Sequence, residues 1–254
     1  MLRRDRRTIT AGEPIIASAS TAGQRLPDNA SLFLDFDGTL TAFTDDPRAT
    51  RLEKDRRARL RAVHDRLEGR LAIVSGRALD GLAERIGDER ITLVGSHGME
   101  ARIDGQRESW ASRPDTLDEA LARLAAFAEA QDLLFERKPF GGALHWRTRR
   151  EHGDRAALEV RALAQRYALD VQLGDMVAEL RAPGGDKGDA LVRLMRRAPF
   201  SAGTPVMVGD DLTDEHGFAA AQALGGQGIL VGARAATRAR HRLADVDAVW
   251  EWLG

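Results

Sequence analysis

Short apolar runs alternate with stretches of helical periodicity along most of the chain. The apolar runs predict strands over residues 32–35, 71–74, 91–94, 205–208 and 228–231. The periodic stretches predict helices over residues 52–67, 78–86, 187–196 and 214–224, with a last helix near 245–253. Because strands and helices that alternate in this order build βαβ units, we expect an α/β fold with a mostly parallel sheet.

The middle of the chain, from about residue 105 to residue 182, follows a different pattern. It predicts helices over residues 117–130 and 155–167, and strands over 133–137, 143–148, 171–173 and 176–181. Paired strands with two helices on one side indicate a small α+β unit with an antiparallel sheet. Since both flanks belong to the parallel sheet, we expect an inserted cap domain over 105–182, a core over 30–104 and 183–254, and a flexible N-terminal segment over 1–29.

Composition narrows the class of protein. The 254 residues include 43% hydrophobic and 30% charged positions, which is ordinary for a globular protein. A net charge of −1 gives no overall attraction to nucleic acid or to an anionic membrane, and the absence of cysteine excludes disulfides and thiolate nucleophiles. No stretch approaches the roughly 20 apolar residues of a membrane span. We expect a cytoplasmic protein without nucleic-acid or membrane partners, whose arginine-rich N-terminus is a frayed end rather than a nucleic-acid tail.

Lysine is rare in this chain, with three lysines against thirty-five arginines. Arginine evidently serves wherever any cation suffices, so each lysine is a candidate for a task that needs a compact ammonium group. Lys54 falls in a charged helical run, where a solvated face is the favoured interpretation. Lys138 and Lys187 fall beside the polar clusters described next.

Carboxylates follow two apolar strands that are far apart in the chain. Asp35 and Asp37 end the first predicted strand, and Asp210 and Asp211 end the fourth. Carboxylates are costly beside an apolar run unless something pairs with them, and a divalent cation is the obvious partner. Because ligands of open α/β sheets bind at the carboxyl ends of the strands, the sequence predicts a metal site at that edge.

Two more segments supply polar groups at the same predicted edge. Ser75 follows the second strand, ahead of Gly76 and Arg77, and a glycine-rich loop leads Lys187 into a helix. Carboxylates, a hydroxyl and an ammonium together suit phosphoryl transfer, in which positioning and charge neutralisation provide most of the catalysis. Ser75 alone could instead cap a helix. A cation at a helix start, such as Lys187, is in an unfavourable electrostatic position, which indicates an anionic partner nearby.

The order of these motifs resembles the four motifs of the haloacid dehalogenase superfamily, in its phosphatase branch, over about residues 31–233. The resemblance implies a Rossmann-like core and makes Asp35 the nucleophile that forms an aspartyl-phosphate. It makes Asp37 the acid for the leaving alcohol and the base for the attacking water. Ser75 would donate a hydrogen bond to the phosphoryl oxygens, and Lys187 would neutralise the nucleophile and the phosphoryl charge.

The same resemblance implies Mg²⁺ as the cofactor. The ion would be held by Asp35, the backbone carbonyl of Asp37 and Asp210, which supply the oxygen ligands that Mg²⁺ prefers. Asp211 and Asp214 would orient that ligand shell or its waters.

Strand alternation within the predicted cap places charged residues on common faces. Glu136 and Lys138 share one face of their strand, and His145 and Arg147 share one face of the next. Such a surface suits recognition of sugar hydroxyls together with a phosphate clamp. On composition alone, these charged residues are explained equally well by a sheet face that is simply exposed to solvent.

These cap segments resemble the trehalose-6-phosphate phosphatase family, whose cap contains Glu-x-Lys, His-x-Arg and Val-x-Glu strands. The Gly-x-His-Gly segment around residue 97 and the Gly-Asp-Asp-x-Thr-Asp-Glu segment from residue 209 are similar to that family as well. The expected substrate-binding residues, including the pair that follows Ser75, are Gly76, Arg77, His97, Glu136, Lys138, His145, Arg147 and Glu179. One departure is Phe140-Gly141-Gly142, a looser link between cap strands than the family leads us to expect.

The resemblance therefore implies a Mg²⁺-dependent phosphatase that hydrolyses trehalose 6-phosphate to trehalose and phosphate. The alternatives are a phosphatase for another sugar phosphate, such as sucrose phosphate or mannosyl-phosphoglycerate, a sugar-phosphate mutase, and a phosphosugar-binding regulator without catalysis. We expect a monomer whose partner molecule is a sugar phosphate, with a trehalose-phosphate synthase as a candidate partner in the pathway.

Overall fold

The computed structural model describes residues 25–42, 50–174 and 176–254, in which the chain forms two separate sheets. The strands are, in chain order, β1 (Ala30–Leu34), β2 (Leu71–Val74), β3 (Thr92–Gly95), β4 (Glu100–Ile103), β5 (Gln106–Ser109), β6 (Leu134–Lys138), β7 (Gly141–His145), β8 (Asp170–Gly174), β9 (Val177–Arg181), β10 (Thr204–Gly209), β11 (Gln227–Val231) and β12 (His241–Leu243). The α-helices are α1 (Lys54–Arg66), α2 (Leu79–Ile86), α3 (Leu117–Ala130), α4 (Gly153–Tyr167), α5 (Lys187–Met195), α6 (Asp214–Ala223) and α7 (Val246–Leu253).

The larger sheet has eight strands in the order β12-β11-β10-β1-β2-β3-β4-β5, and it is parallel from β12 to β3. In this register, Leu34 of β1 lies beside Val208 of β10 and Ile73 of β2. The carboxyl ends of these three strands therefore meet at one edge of the sheet. The predicted fold class, α/β with a mostly parallel sheet, is confirmed.

Helices cover both faces of this sheet, which is why its central strands are continuous apolar runs. β1 is buried at every position, with Leu32 and Leu34 in one core cluster and Phe33 in the other. Helices α1, α2 and α7 contribute side chains to the first cluster, and α5 and α6 contribute to the second. Successive residues of β1 thus point to opposite faces, as the pleat of a strand requires.

The smaller sheet is antiparallel, with the strand order β6-β7-β9-β8. Its apolar face packs against α3 and α4 and buries Leu144 and Leu180. Its opposite face is polar, and the pairing register places Glu136, Glu179 and Gln172 level with one another on that face. This second sheet, between β5 and α5 in the chain, supplies the charged surface that strand alternation predicts.

Three strands of the larger sheet were not predicted. The hairpin of β4 and β5 extends the sheet beyond β3 in antiparallel order, and β12 lies at the opposite edge. β5 is mostly exposed and carries the polar sequence Gln-Arg-Glu-Ser, so no apolar run marks it. Although it lies beyond the predicted core boundary at residue 104, it pairs within the larger sheet.

The expectation of a loose link at Phe140-Gly141-Gly142 was wrong. Gly141 and Gly142 belong to β7, and Gly142 pairs with Arg137 on one side and Leu180 on the other. A Cβ atom at Gly142 would lie 2.6 Å from the Phe135 ring, so glycine is required where that ring crosses the strand. The predicted strand over 143–148 was also too long, because β7 ends at His145 and Arg147 lies in the following turn.

Two predictions concern the N-terminal segment and membrane-spanning helices. Of the N-terminal segment predicted over residues 1–29, residues 1–24 lie outside the described residues. Over the ranges that the structure does describe, no helix is both long enough and apolar enough to cross a membrane.

Candidate active site

The predicted nucleophile, Asp35, lies directly after β1 at the edge where the carboxyl ends of β1, β2 and β10 meet. Its backbone N–H donates to the carbonyl of Val208 at 2.9 Å, which continues the pairing with β10 for one more residue. The side chain is only 6% exposed. The sheet register therefore fixes this carboxylate in a buried position facing the loop that follows β10.

Lys187 joins two buried carboxylates. Its Nζ atom donates to Asp35 Oδ1 and to Asp214 Oδ1, each at 2.6 Å, and all three side chains are almost fully buried. Burial alone lowers the pKa of a lysine, but Asp214 and Asp35 outweigh it and raise the pKa of Lys187 above its ordinary value. The unfavourable position at the start of α5 is thus offset by two anionic partners.

Asp214 holds the ammonium group and the loop after β10 at the same time. Its Oδ1 accepts from Lys187, and its Oδ2 accepts from the backbone N–H of Asp211 at 2.9 Å. A Cβ atom at Gly209 would lie 2.1 Å from Cγ of Asp214, so only glycine leaves room for this carboxylate. Both oxygens of Asp214 are therefore engaged, whereas Asp211 contributes its backbone and keeps its side chain exposed.

Asp35, Asp210 and Asp214 bring carboxylate oxygens within 4.8 Å of one another. Burial raises the pKa of Asp210 to about 7, with Asp214 adding to the shift and Lys187 opposing it. Burial likewise raises the pKa of Asp35 well above its usual range, against the opposing charge of Lys187. Three carboxylates thus share one ammonium, and this excess of negative charge suits a bound cation.

Asp37 is bound by Arg77, a residue predicted to contact substrate. Arg77 Nε donates to one Asp37 oxygen and Nη2 to the other, each at 2.6 Å, in a bidentate pair. The guanidinium also lies over the Phe36 ring, 5.6 Å from its centroid. In this structure the Arg77 side chain therefore orients Asp37.

Ser75 is buried at the end of β2, and its Oγ accepts from the backbone N–H of Arg77 at 3.2 Å. The alternative role of Ser75 as a helix cap was wrong, because the cap position of α2 is Ala78. Glu100 performs the capping instead, accepting from the backbone N–H of Leu79 at 3.0 Å and from Ser96. Sequence reasoning missed Glu100 because it lies in β4, one of the unpredicted strands.

His97 connects the two sheets. Its ring packs over Gly76, where a Cβ atom would lie 2.4 Å from Cε1, and its Nε2 lies 3.2 Å from the amide nitrogen of Gln172 in β8. Burial, followed by the charges of Lys187, Arg181 and Lys138, lowers the pKa of His97 well below 6.5. The imidazole is therefore neutral at neutral pH, and Gln172 is a contact that the sequence analysis missed.

The remaining predicted substrate-binding residues lie on or after the smaller sheet. Lys138 and Glu179 form an ion pair across β6 and β9, both with little exposure. His145 Nε2 lies 3.2 Å from Glu136 Oε2 on the same face of that sheet. Arg147 lies outside the strands, in the turn that follows β7.

A cleft of about 260 Å³ opens between the polar face of the smaller sheet and the loops of the larger one. The smaller sheet lines it with Gln172, Leu173 and Arg181. The rest of the chain lines it with His97, Lys187 and two acidic residues, Asp186 and Asp211. A cavity of about 470 Å³ near Trp252 lies among other residues and contains none of these groups. The cleft, and not the larger cavity, is thus the candidate substrate site.

An eight-stranded, mostly parallel sheet with acidic strand ends, together with a separate antiparallel sheet, is the architecture that the resemblance to haloacid dehalogenase phosphatases implies. The family model described as trehalose-phosphatase matches residues 33–247. This chain therefore belongs to the trehalose-phosphatase family.

Individual relatives agree with that assignment. The trehalose-6-phosphate phosphatase of Escherichia coli (strain K12) is 34% identical over 224 residues, which cover 87% of this chain and 84% of the relative. A protein of Sinorhizobium fredii named "Probable trehalose-phosphate phosphatase" is 32% identical over 229 residues, covering 87% of this chain and 83% of its own. The solved C-terminal domain of C. albicans trehalose-6-phosphate phosphatase matches with a TM-score of 0.77 at 22% identity, covering 89% and 92% of the two chains, and so is similar in fold.

Proposed function

We propose that this chain hydrolyses trehalose 6-phosphate to trehalose and inorganic phosphate. The observation that carries the proposal is the buried bridge of Lys187 between Asp35 and Asp214, beside Asp210, in a member of the trehalose-phosphatase family. Its relatives in E. coli and other bacteria are named as phosphatases of this sugar phosphate. The bridge suits phosphoryl transfer, in which fixed charges stabilise the transferring group.

In the proposed reaction, Asp35 attacks phosphorus, a carboxylate oxygen–phosphorus bond forms, and the bond from phosphorus to the sugar oxygen breaks. Asp37 gives a proton to the sugar oxygen, which leaves as the alcohol. Water then attacks phosphorus while Asp37 takes one of its protons. The oxygen–phosphorus bond to Asp35 breaks, and the carboxylate and inorganic phosphate are released.

Two contacts of the structure bear on these roles. Both Asp37 oxygens accept hydrogen bonds from Arg77, so the proton that Asp37 transfers occupies a remaining lone pair of one of these oxygens. Ser75 Oγ accepts from the Arg77 backbone, and no residue in the described ranges accepts from its hydroxyl. We assign that hydroxyl to a phosphoryl oxygen, and Lys187 to the charge shared by Asp35 and the phosphoryl group.

We further propose that Mg²⁺ is held by Asp35, Asp210 and the backbone carbonyl of Asp37. The raised pKa values of Asp35 and Asp210 support a cation there. Asp214 lies in the same cluster, and because it accepts from Lys187 and from the backbone of Asp211 we assign it to orienting the site. When bound, the ion would neutralise charge on the phosphoryl oxygens.

Mg²⁺ should therefore stabilise the folded protein. At about ten times its dissociation constant, we expect the melting temperature of the wild type to rise by about 3–6 °C, because the ion binds only the folded state. In Asp210→Asn the same shift should need about tenfold more Mg²⁺ or be lost, whereas Asp115→Asn, an exposed aspartate, should respond like the wild type. Equal shifts in Asp210→Asn and the wild type would exclude Asp210 as a ligand.

Specificity for the sugar is assigned to the polar face of the smaller sheet. If the Lys138–Glu179 pair contacts the sugar, Lys138→Ala should lower kcat/KM for trehalose 6-phosphate about 10- to 100-fold and for a small aryl phosphate less than about threefold. Arg137→Ala, on the opposite face of β6, is the matched control and should change neither value by more than about twofold. Equal losses on both substrates would assign Lys138 to the structure instead.

A screen of phosphate release over sugar phosphates tests the proposed function. We expect trehalose 6-phosphate to be hydrolysed with the highest kcat/KM. Comparable rates with sucrose phosphate or mannosyl-phosphoglycerate would overturn the assignment of the sugar. An isomerised sugar phosphate without free phosphate would establish a mutase, and no turnover at all would favour a binding protein. The monomeric state, a pathway link to a trehalose-phosphate synthase, the cytoplasmic location and the boundaries of the cap stay predictions.

A further inference from the structure

Arg181, the last residue of β9, is absent from the predicted site residues but lines the candidate substrate cleft. It lies two residues after Glu179, so both side chains are on the polar face of the smaller sheet. In register it pairs with Gly141 of β7, which also pairs with Lys138. Arg181 therefore extends the row of charged residues toward Lys187, which lines the same cleft.

The guanidinium of Arg181 lacks acceptors for two of its three nitrogens. Nη2 donates to the carbonyl of Gly185 at 3.3 Å, while Nε and Nη1 are buried without a hydrogen-bond partner. Within residues 25–42, 50–174 and 176–254, no carboxylate forms an ion pair with it. Because a buried charged donor without an acceptor is unfavourable, this group needs an acceptor from outside the chain.

The nearby lysines differ from Arg181 in this respect. Lys187 is neutralised by two carboxylates, and Lys138 is neutralised by Glu179. The positive charge of Arg181 also acts on His97. The pKa of His97 is lowered by burial first, then by the charges of Lys187 and Arg181. Asp186 and Asp211 also line the cleft, but neither forms an ion pair with Arg181. The acceptor that suits the two unpaired nitrogens of this guanidinium is therefore an anion that enters the cleft.

The loop between Arg181 and Lys187 keeps the two cations in a fixed relation. Gly184 and Gly185 both have positive φ, 90° and 75°, and the carbonyl of Gly185 accepts from Arg181. A Cβ atom at Gly98 would lie 2.4 Å from the carbonyl of Asp186, so the loop is packed tightly against the turn that contains His97. One short segment of the chain thus presents both cations to one cleft.

We infer that Arg181 binds the phosphoryl group of the substrate, as a cationic contact supplied by the smaller sheet in addition to Lys187. The inference rests on the proposed function, because it names a further residue for that same phosphoryl transfer. The two guanidinium nitrogens of Arg181 that lack acceptors would then donate charge-assisted hydrogen bonds to phosphoryl oxygens. These oxygens are common to every phosphate monoester, which distinguishes Arg181 from a residue that contacts the sugar.

The test compares Arg181→Ala, Arg181→Lys and the control Arg137→Ala, whose wild-type arginine is paired with Asp118 on the other face of the sheet. We expect Arg181→Ala to lower kcat/KM about 10- to 100-fold for both trehalose 6-phosphate and an aryl phosphate. Calorimetric titration should show that it weakens the binding of inorganic phosphate by a similar factor. Arg181→Lys should recover part of both losses, and Arg137→Ala should stay within about twofold of the wild type.

Two results would overturn the inference. A loss confined to trehalose 6-phosphate, with unchanged phosphate binding, would place Arg181 on the sugar. Loss on both substrates with a lower melting temperature and unchanged phosphate affinity would make its role structural. If the wild type binds phosphate but does not hydrolyse trehalose 6-phosphate, the proposed function is wrong. The role of Arg181 is still tested in that case, because its variants can be titrated with phosphate.

Discussion

Asp35→Asn is expected to abolish release of phosphate from trehalose 6-phosphate, by a factor on the order of 10⁴ or more, without destabilising the protein. The amide cannot act as the nucleophile, and Asp37, the other carboxylate that follows β1, is held by Arg77. Stability should hold because Asp35, Asp210 and Asp214 share one ammonium, and burial raises the pKa of Asp35 against the charge of Lys187. Removing one of three crowded charges should leave the free energy of unfolding unchanged or raise it by up to about 2 kcal/mol.

The measurement is single-turnover phosphate release together with chemical denaturation at pH 7.5. Asp115→Asn, which makes the same chemical change at an exposed position, is the control and should match the wild type in both assays. Residual activity of Asp35→Asn within about a hundredfold of the wild type would show that another group carries out the attack. A loss of stability above about 2 kcal/mol would show instead that Asp35 is required by the fold.

The groups at the sheet edge could be predicted because their positions follow from chain order. Asp35 and Ser75 directly follow apolar runs, and parallel strands bring their carboxyl ends together whatever the details of packing. Lys187 could be placed by its glycine loop and by the rarity of lysine in this chain. Its need for an anionic partner followed from its position at a helix start.

The partners of these groups could not be predicted, because they depend on how helices and loops pack. Asp214 was expected to orient the metal's ligand shell, and it does lie within 4.8 Å of Asp35 and Asp210. Its hydrogen bonds to Lys187 and to the backbone of Asp211 depend on the packing of α6 beside α5 and could not be predicted. Arg77 was expected to contact substrate, which stays a prediction, and its pairing with Asp37 was not foreseen because it depends on the loop after β2. Local sequence fixes which residues enter the site, whereas tertiary packing fixes which pairs they form.

The smaller sheet shows the same division. Period-2 alternation placed Glu136 and Lys138 on one face correctly, since the pleat of a strand needs no tertiary information. The start of β7 was missed, because two glycines that indicate a loop by composition are paired on both sides. Gln172 and Arg181 were missed as well, because only the pairing of β8 and β9 brings them to the cleft.

Lys187→Met should cause a large loss of stability in addition to the loss of activity. The substitution keeps most of the side-chain volume but leaves two fully buried carboxylates, Asp35 and Asp214, without their ammonium partner. Breaking a buried ion pair in this way costs about 3–5 kcal/mol, so we expect a loss of that size in the free energy of unfolding at pH 8. Lys54→Met, at the exposed start of α1, is the matched control and should change stability by less than about 0.5 kcal/mol.

The pH dependence of that loss identifies its cause. Burial already raises the pKa of Asp35, and Lys187 opposes that rise. Without the ammonium the pKa of Asp35 rises further above its value in the unfolded chain, so the folded variant binds more protons and gains more stability than the wild type as the pH falls. In the wild type the pKa of Lys187 is raised, so its contribution is fully present below the unfolded value and does not vary between pH 5 and 8. The difference between Lys187→Met and the wild type should therefore be smaller at pH 5 than at pH 8, and the additional change Asp214→Asn should recover part of the loss at pH 8. A difference that is constant with pH would mean that Lys187 stabilises the fold through the packing of its side chain and not through its charge.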